Sequence, residues 1–245
     1  MLGVTLQNFG EKLFAQGEVE RAAALAWEGF HYLQARGNRY ERAQGLGVLG
    51  AIALFQGDLH QARVYLEEAV TIVSAAQSEP MLGHWQPHLA LVLLYQGNPA
   101  SAQQLLSNTL RLCLAMRNKF DLARIYTCLA ETALCEGNLS ECALWLQQSL
   151  SYHAAPRRTT FYEVARLFVA ARLATAHQHY LHAAILFGLA ERMHSQVHQV
   201  IGGPMRTLAD AALTTVQAAL EPAAFAAAFA AGQQMTLDEA LGMLT

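Results

Sequence analysis

Lysine is almost missing from this chain: Lys12 and Lys119 are the two among 16 basic residues, which face 19 acidic ones for a formal charge of −3. No stretch forms the basic stripe that tracks a phosphate backbone, so this segment is not read as a nucleic-acid binder. Also missing is any apolar run near the roughly 20 residues that a membrane-spanning helix needs, and no charged segment followed by an apolar one opens the chain. The expectation is a soluble, cytoplasmic protein with no membrane partner. No G-x-x-x-x-G-K-[ST] phosphate loop occurs, so ATP binding is not assigned. The four cysteines, Cys113, Cys128, Cys135 and Cys142, lie on helical runs among apolar neighbours. They read as reduced, packed thiols, and no motif sets a base beside them to make a nucleophile.

What the chain does have is apolar surface, with 53% hydrophobic residues, and a recurring turn. Gln56-Gly57-Asp58-Leu59-His60-Gln61-Ala62 is echoed from Gln16-Gly17 to Ala22, from Gln96-Gly97 to Ala102 and from Glu136-Gly137 to Cys142. A degenerate copy from Gln178 to Ala183 has lost the glycine. The turn glycines stand 40 residues apart three times running, and a period of that length marks stacked helical units. The predicted fold is all-α: an α-α superhelix of about five 40-residue helix-turn-helix repeats at 1–38, 39–78, 79–118, 119–158 and 159–200. An alanine-rich helical tail, 201–245, is placed to cap the last repeat.

Local chemistry supports the turns. Asp58, Asn98 before Pro99, and Asn138 with Glu141 three residues on are three different ways to start a second helix. Thr236 to Glu239 is a further capping box, opening a short last helix. Pro87 falls inside the leading helix of repeat three and predicts a kink or a late start there. A longer connection is expected at 154–160.

The offsets within each unit narrow the family. Gly10 to Ala22, Gly50 to Ala62, Ala90 to Ala102, Ala130 to Cys142 and Ala171 to Ala183 are all twelve apart, and Leu66, Leu106, Leu146 and Phe187 follow four later. This resembles the tetratricopeptide (TPR) pattern, in which small side chains permit close helix approach. The usual early tryptophan is replaced by Leu6, Leu46, Gln86, Tyr126 and Leu167, and each unit exceeds the standard 34 residues by about six. Such lengthened units look like those of bacterial STAND-class signalling ATPases, including MalT-like LuxR-type regulators. The tail order, Pro222-Ala223-Ala224-Phe225, then Gly232, then Met235 to Leu241, is similar to the segment closing their repeat arrays. The resemblance implies a non-enzymatic arm that receives a protein segment, peptide or small inducer, needs no cofactor, and serves a larger transcriptional regulator. A free-standing adaptor or homodimerising scaffold is the alternative.

The resemblance also implies where binding occurs, because leading helices line the concave side of such arrays. Its pattern puts Gln7, Glu11 and Phe14 there from repeat one, Gln44, Gly47 and Phe55 from repeat two, and His84 and Tyr95 from repeat three, with His88 adjacent. Repeat four adds Arg124, Thr127 and Glu131, and repeat five Phe168 and Arg172. His84, His88, Leu91 and Tyr95 share one helical face by spacing. A polar and aromatic face carrying both charges suits a peptide or small polar ligand, although side chains that merely solvate an open groove give the same pattern. Arg172 reads here as an exposed charge that is dispensable for folding. The histidines at 177, 179, 182, 194 and 198 lack an H-E-x-x-H or Cys-x-x-Cys context and read as turn and surface residues rather than metal ligands. Trp27, Trp85 and Trp145 read as packing residues.

Overall fold

Helix follows helix in the computed structural model, which describes residues 3, 5–6, 9–10, 12–13, 18–34, 39–152, 161–196 and 202–242; no strand occurs among them. After α1 (Val19–Gln34) come the hairpins α2 (Arg39–Gln56) with α3 (Leu59–Ala75), α4 (Glu79–Tyr95) with α5 (Pro99–Met116), and α6 (Lys119–Cys135) with α7 (Leu139–Ser151). A further hairpin pairs α8 (Phe161–Ala176) with α9 (Tyr180–Gln196). The tail supplies α10 (Gly203–Ala219), α11 (Pro222–Gln234) and α12 (Leu237–Gly242). Each hairpin packs on the next, and the leading helices α2, α4, α6 and α8 also touch one another in sequence, forming the inner wall of a solenoid. No helix among the described residues is long and apolar enough to cross a membrane.

The twelve-residue pairs are the hairpin crossings. Ala62, Ala90, Ala102, Ala130, Cys142, Ala171 and Ala183 are fully buried, as are Leu66, Leu106 and Phe187 four residues on. A Cβ added to Gly50 would stand 2.5 Å from Leu66 Cγ and 3.3 Å from the Ala62 carbonyl, so the two backbones meet where a larger side chain has no room. Ala62→Leu is therefore expected to overpack this crossing by about 1–3 kcal/mol, read as a fall in the urea midpoint. An unchanged midpoint would contradict the role given to the small residues.

The turns share one hydrogen-bond pattern. The N–H of Gly57 donates to the Leu54 carbonyl at 3.1 Å and that of Asp58 to the Ala53 carbonyl at 2.9 Å, the double bond of a Schellman motif closing on a left-handed residue. Gly57 has φ +87°; at the fifth turn Gln178 takes the same conformation at φ +62°, with the same two bonds made by Gln178 and His179. Losing the glycine there changed the residue and kept the turn. Gln77 and Arg117, at φ +51° and +54°, close the connections between repeats in the same way, and neither carries a glycine that would mark it in the sequence.

Asp58 Oδ1 accepts from the Gln61 N–H at 2.9 Å, Asn138 Oδ1 accepts from the Glu141 N–H at 3.3 Å, and the Thr236 N–H donates to Glu239 at 2.7 Å. Asn98 makes no capping bond, contrary to expectation; its amide oxygen accepts from the Ser101 hydroxyl at 3.4 Å. Of the kink or late start expected at Pro87, the late start does not occur. α4 begins at Glu79 with Pro80 in its first turn and runs through Pro87. The connection at 154–160 lies outside the described residues.

The tail divides its work. α11 lies along α9 with their backbones in contact: a Cβ on Gly232 would stand 1.9 Å from the Ile185 carbonyl oxygen, and one on Gly188 2.1 Å from that of Phe229. α10 instead packs on α8 and α9 and reaches back to α2. Its Met205, Ala209 and Val216 join a core with Ala51 and Phe55 of α2 and Leu167 and Phe168 of α8. Part of the inner wall is thus covered by the chain itself, which the sequence reading of the tail as an end piece did not anticipate.

Candidate functional site

The groove positions fall into three groups. Gln7, Glu11 and Phe14 lie outside the described residues. Phe55, His88, Arg124, Thr127, Glu131, Phe168 and Arg172 are buried, not displayed on an open surface. Gln44, His84 and Tyr95 are partly open. Gly47 is buried because the Trp85 indole lies on it, 2.3 Å from where a Cβ would be. Burial corrects the picture of an open, charged groove: adjacent leading helices approach closely enough to pair these groups, and α10 covers others. The Arg206 guanidinium of α10 lies 5.7 Å from the centre of the Phe168 ring.

Two polar clusters result, at opposite ends of the leading helices. The first joins α4, α6 and α8. Arg124, 2 % exposed, is ion-paired with Asp121 and donates to the Gly83 carbonyl and to His84 Nδ1, both at 3.2 Å. Asn118 binds the same carboxylate through its amide nitrogen. Tyr162 sets its ring 5.4 Å from the Arg124 guanidinium and its hydroxyl 2.7 Å from His88 Nε2. His88 Nδ1 sits 3.2 Å from the His84 carbonyl. That set is self-consistent with a neutral His88 that donates through Nδ1 and accepts from Tyr162. Thr127 hydrogen-bonds Ser149 at 2.9 Å and the Ala123 carbonyl at 2.9 Å, tying α6 to α7.

The second cluster joins the far ends of α4, α6 and α8. Arg172 Nη1 donates to both oxygens of Glu131, at 2.7 and 2.6 Å, and the Tyr95 hydroxyl donates to Oε1 at 3.1 Å. Burial and the neighbouring Glu131 carboxylate hold the Tyr95 phenol well above its usual range. His84 belongs to the first cluster and does not meet Glu131 or Arg172, so no single site unites the three. Cys113, Cys128 and Cys142 are buried, whereas Cys135 is exposed, which departs from the expectation of packed thiols throughout. Burial pushes the thiol of Cys113 up to about 11 and those of Cys128 and Cys142 up to about 12. Cys135, although exposed as a residue, has its sulfur part-buried 3.6 Å from Glu131 Oε1, and that desolvation with the carboxylate beside it raises its thiol to about 11. Among the described residues no three His, Cys, Asp or Glu side chains converge as a metal would require.

Beside the first cluster the wall opens into a cleft of about 270 Å³, lined by Tyr40 and Gln44 of α2, Pro80, Met81, His84 and Trp85 of α4, and Asn118 and Asp121 at the start of α6. Gln44 and His84 were legible from the repeat pattern; Asn118 and Asp121 were not, because they belong to a helix start rather than to the repeating face. Charge is nearly cancelled here. Asp121 is matched by Arg124, and burial followed by the Arg124 charge keeps His84 well below the usual imidazole range. The surface is aromatic and amide-rich. Its volume lies just under the roughly 300–1,000 Å³ of pockets that enclose whole small molecules.

Burial, with Arg124 next, lowers His88 to about 3. An unfolded chain takes up that proton near pH 6.5, so His88 stabilises the fold fully above that pH and progressively less as pH falls towards 3. Between pH 6.5 and 5 the loss is expected to reach about 2 kcal/mol, measured as a drop in urea midpoint that is flatter in His88→Gln. An identical slope in that variant would show that another group titrates.

No protein-family profile matches the chain, and no curated protein matches it. Among solved structures it is similar to a Podosopora anserina protein described as a kinesin light chain with nearly identical TPR-like repeats. The similarity has a TM-score of 0.53 at 18% identity and covers 78% of this chain and 94% of that one. The fold is therefore a TPR-like helical repeat solenoid, the class its small-residue spacing indicated.

Proposed function

We propose that this chain is a non-enzymatic scaffold that binds a protein or peptide segment, with the cleft between α2, α4 and α6 as its contact point. The single observation that carries this reading is the cleft itself: three successive repeats contribute to it, as a segment laid along a repeat array requires. Its near-neutral lining suits an extended peptide whose backbone meets Gln44 and Asn118 while one apolar side chain enters beside Trp85; a small inducer of similar size fits the same space. The long repeats and the tail order support a narrower assignment, the cytoplasmic sensor or interaction arm of a larger bacterial LuxR-type transcription regulator. A free-standing adaptor or dimer is the second reading, favoured if solution size measurements give a stable dimer.

Panning a phage-displayed peptide library against wild type tests the cleft. Gln44→Ala with Tyr40→Ala is expected to weaken the selected peptide at least tenfold, about 1.4 kcal/mol, at an unchanged melting temperature. Retained affinity in the double variant would overturn the assignment.

A further inference from the structure

A second part of the inner wall already holds a helix. α10 turns one stripe inward, Met205, Ala209 and Val216 at positions i, i+4 and i+11, with Ala212 and Leu213 half-buried between them. Thr207, Asp210, Ala211, Thr214 and Thr215 face solvent. This is how an amphipathic helix lies in a groove, here supplied by the same chain. At its start, Gly203 has φ +62° and touches the turn of repeat two, where an added Cβ would stand 3.0 Å from both Gly57 Cα and the Leu54 carbonyl oxygen. At its side, Arg206 spans Glu191 of α9 at 2.9 Å and Asp210 at 2.8 Å, in half-open pairs that contribute little. α11, by contrast, is fastened to α9 through backbone contact at Gly188 and Gly232. The tail beyond α10 is thus anchored independently of α10.

We propose that α10 is a built-in ligand for the wall formed by α2, α8 and α9, and that this wall's partner is an amphipathic helix of the same pattern: methionine or a similar large apolar residue, arginine next to it, alanine at i+4 and a β-branched residue at i+11. The carrying juxtaposition is that of the α10 stripe with Phe55 and Phe168, at the opposite end of α2 from the Tyr40 and Gln44 cleft. The two surfaces stand or fall separately. A helix tethered at both ends has an effective concentration in the millimolar range, so a partner helix competes poorly until the Gly203 contact is strained or the Arg206 pairs are made repulsive.

The probe is a fluorescein-labelled synthetic peptide of residues 202–220, titrated by anisotropy into the full chain. Gly203→Val strains a left-handed position and crowds Gly57; Arg206→Glu sets like charges against Glu191 and Asp210. Both variants are expected to bind the peptide at least tenfold more tightly than wild type, and a peptide with Met205 and Val216 changed to serine is expected not to bind. Equal affinity for wild type and variants, or no binding to any of them, overturns the proposal. Hydrogen exchange on the wild type decides independently of whether either variant folds. Amides of α10 are expected to exchange at least tenfold faster than those of α9 and α11, and equal protection would show α10 to be a permanent part of the core.

Discussion

Arg172→Met is expected to cost about 3–5 kcal/mol of stability, among the larger losses available to a single side chain in this fold. Glu131 is 0 % exposed and Arg172 8 %, so removing the guanidinium leaves a carboxylate held away from water with the Tyr95 hydroxyl as its remaining strong donor. The asymmetry is the informative part. A buried pair contributes little net because desolvation offsets attraction, but a half-pair bears the whole penalty. Glu131→Leu combined with Arg172→Met is accordingly expected to recover most of the loss, since neither charge remains. Guanidinium chloride unfolding of the two single variants and the double completes the cycle. A loss below about 1 kcal/mol for Arg172→Met would return the residue to the exposed class that the repeat pattern assigned it.

The second large effect is expected at Gly232. Any Cβ there points at the Ile185 carbonyl oxygen from 1.9 Å, and a backbone carbonyl cannot rotate away as a side chain can. Gly232→Val should force α11 off α9 at the upper end of overpacking costs, about 3 kcal/mol, and expose the apolar face of the last repeat. The expected readouts are a lowered melting temperature and increased binding of a hydrophobic dye. Gly97→Val is the control: it has the strained left-handed φ of +83° but nothing within 4 Å of an added Cβ, so it isolates backbone strain from crowding. If the two variants behave alike, close approach is not what holds the tail.

Legibility in the sequence followed the repeat. Positions whose residue type is dictated by geometry common to every unit were readable: the small residues at Gly50 and Ala62, Ala90 and Ala102, Ala130 and Cys142 lie where the backbones cross, and Gly57, Gly97 and Gly137 adopt the left-handed turn. Gln178 was readable as a copy only because its neighbours kept the pattern. The candidate site was half legible. Gln44 and His84 do line the cleft, but the repeat pattern gave Arg124, Glu131 and Arg172 a facing direction without saying what lies across from them. Asp121 finds Arg124 because the two are one helical turn apart, whereas Glu131 finds Arg172 across 41 positions of sequence, beyond any local pattern.

By itself the order of residues determined that the chain is helical, that it turns at regular intervals and that its hairpins stack, because periodicity and the steric needs of a turn act within a few residues of one another. Tertiary structure alone decided which polar side chains became buried partners and where α10 came to lie. Those outcomes depend on how far successive repeats rotate against each other and on which surfaces remain to be covered, quantities that no single repeat encodes.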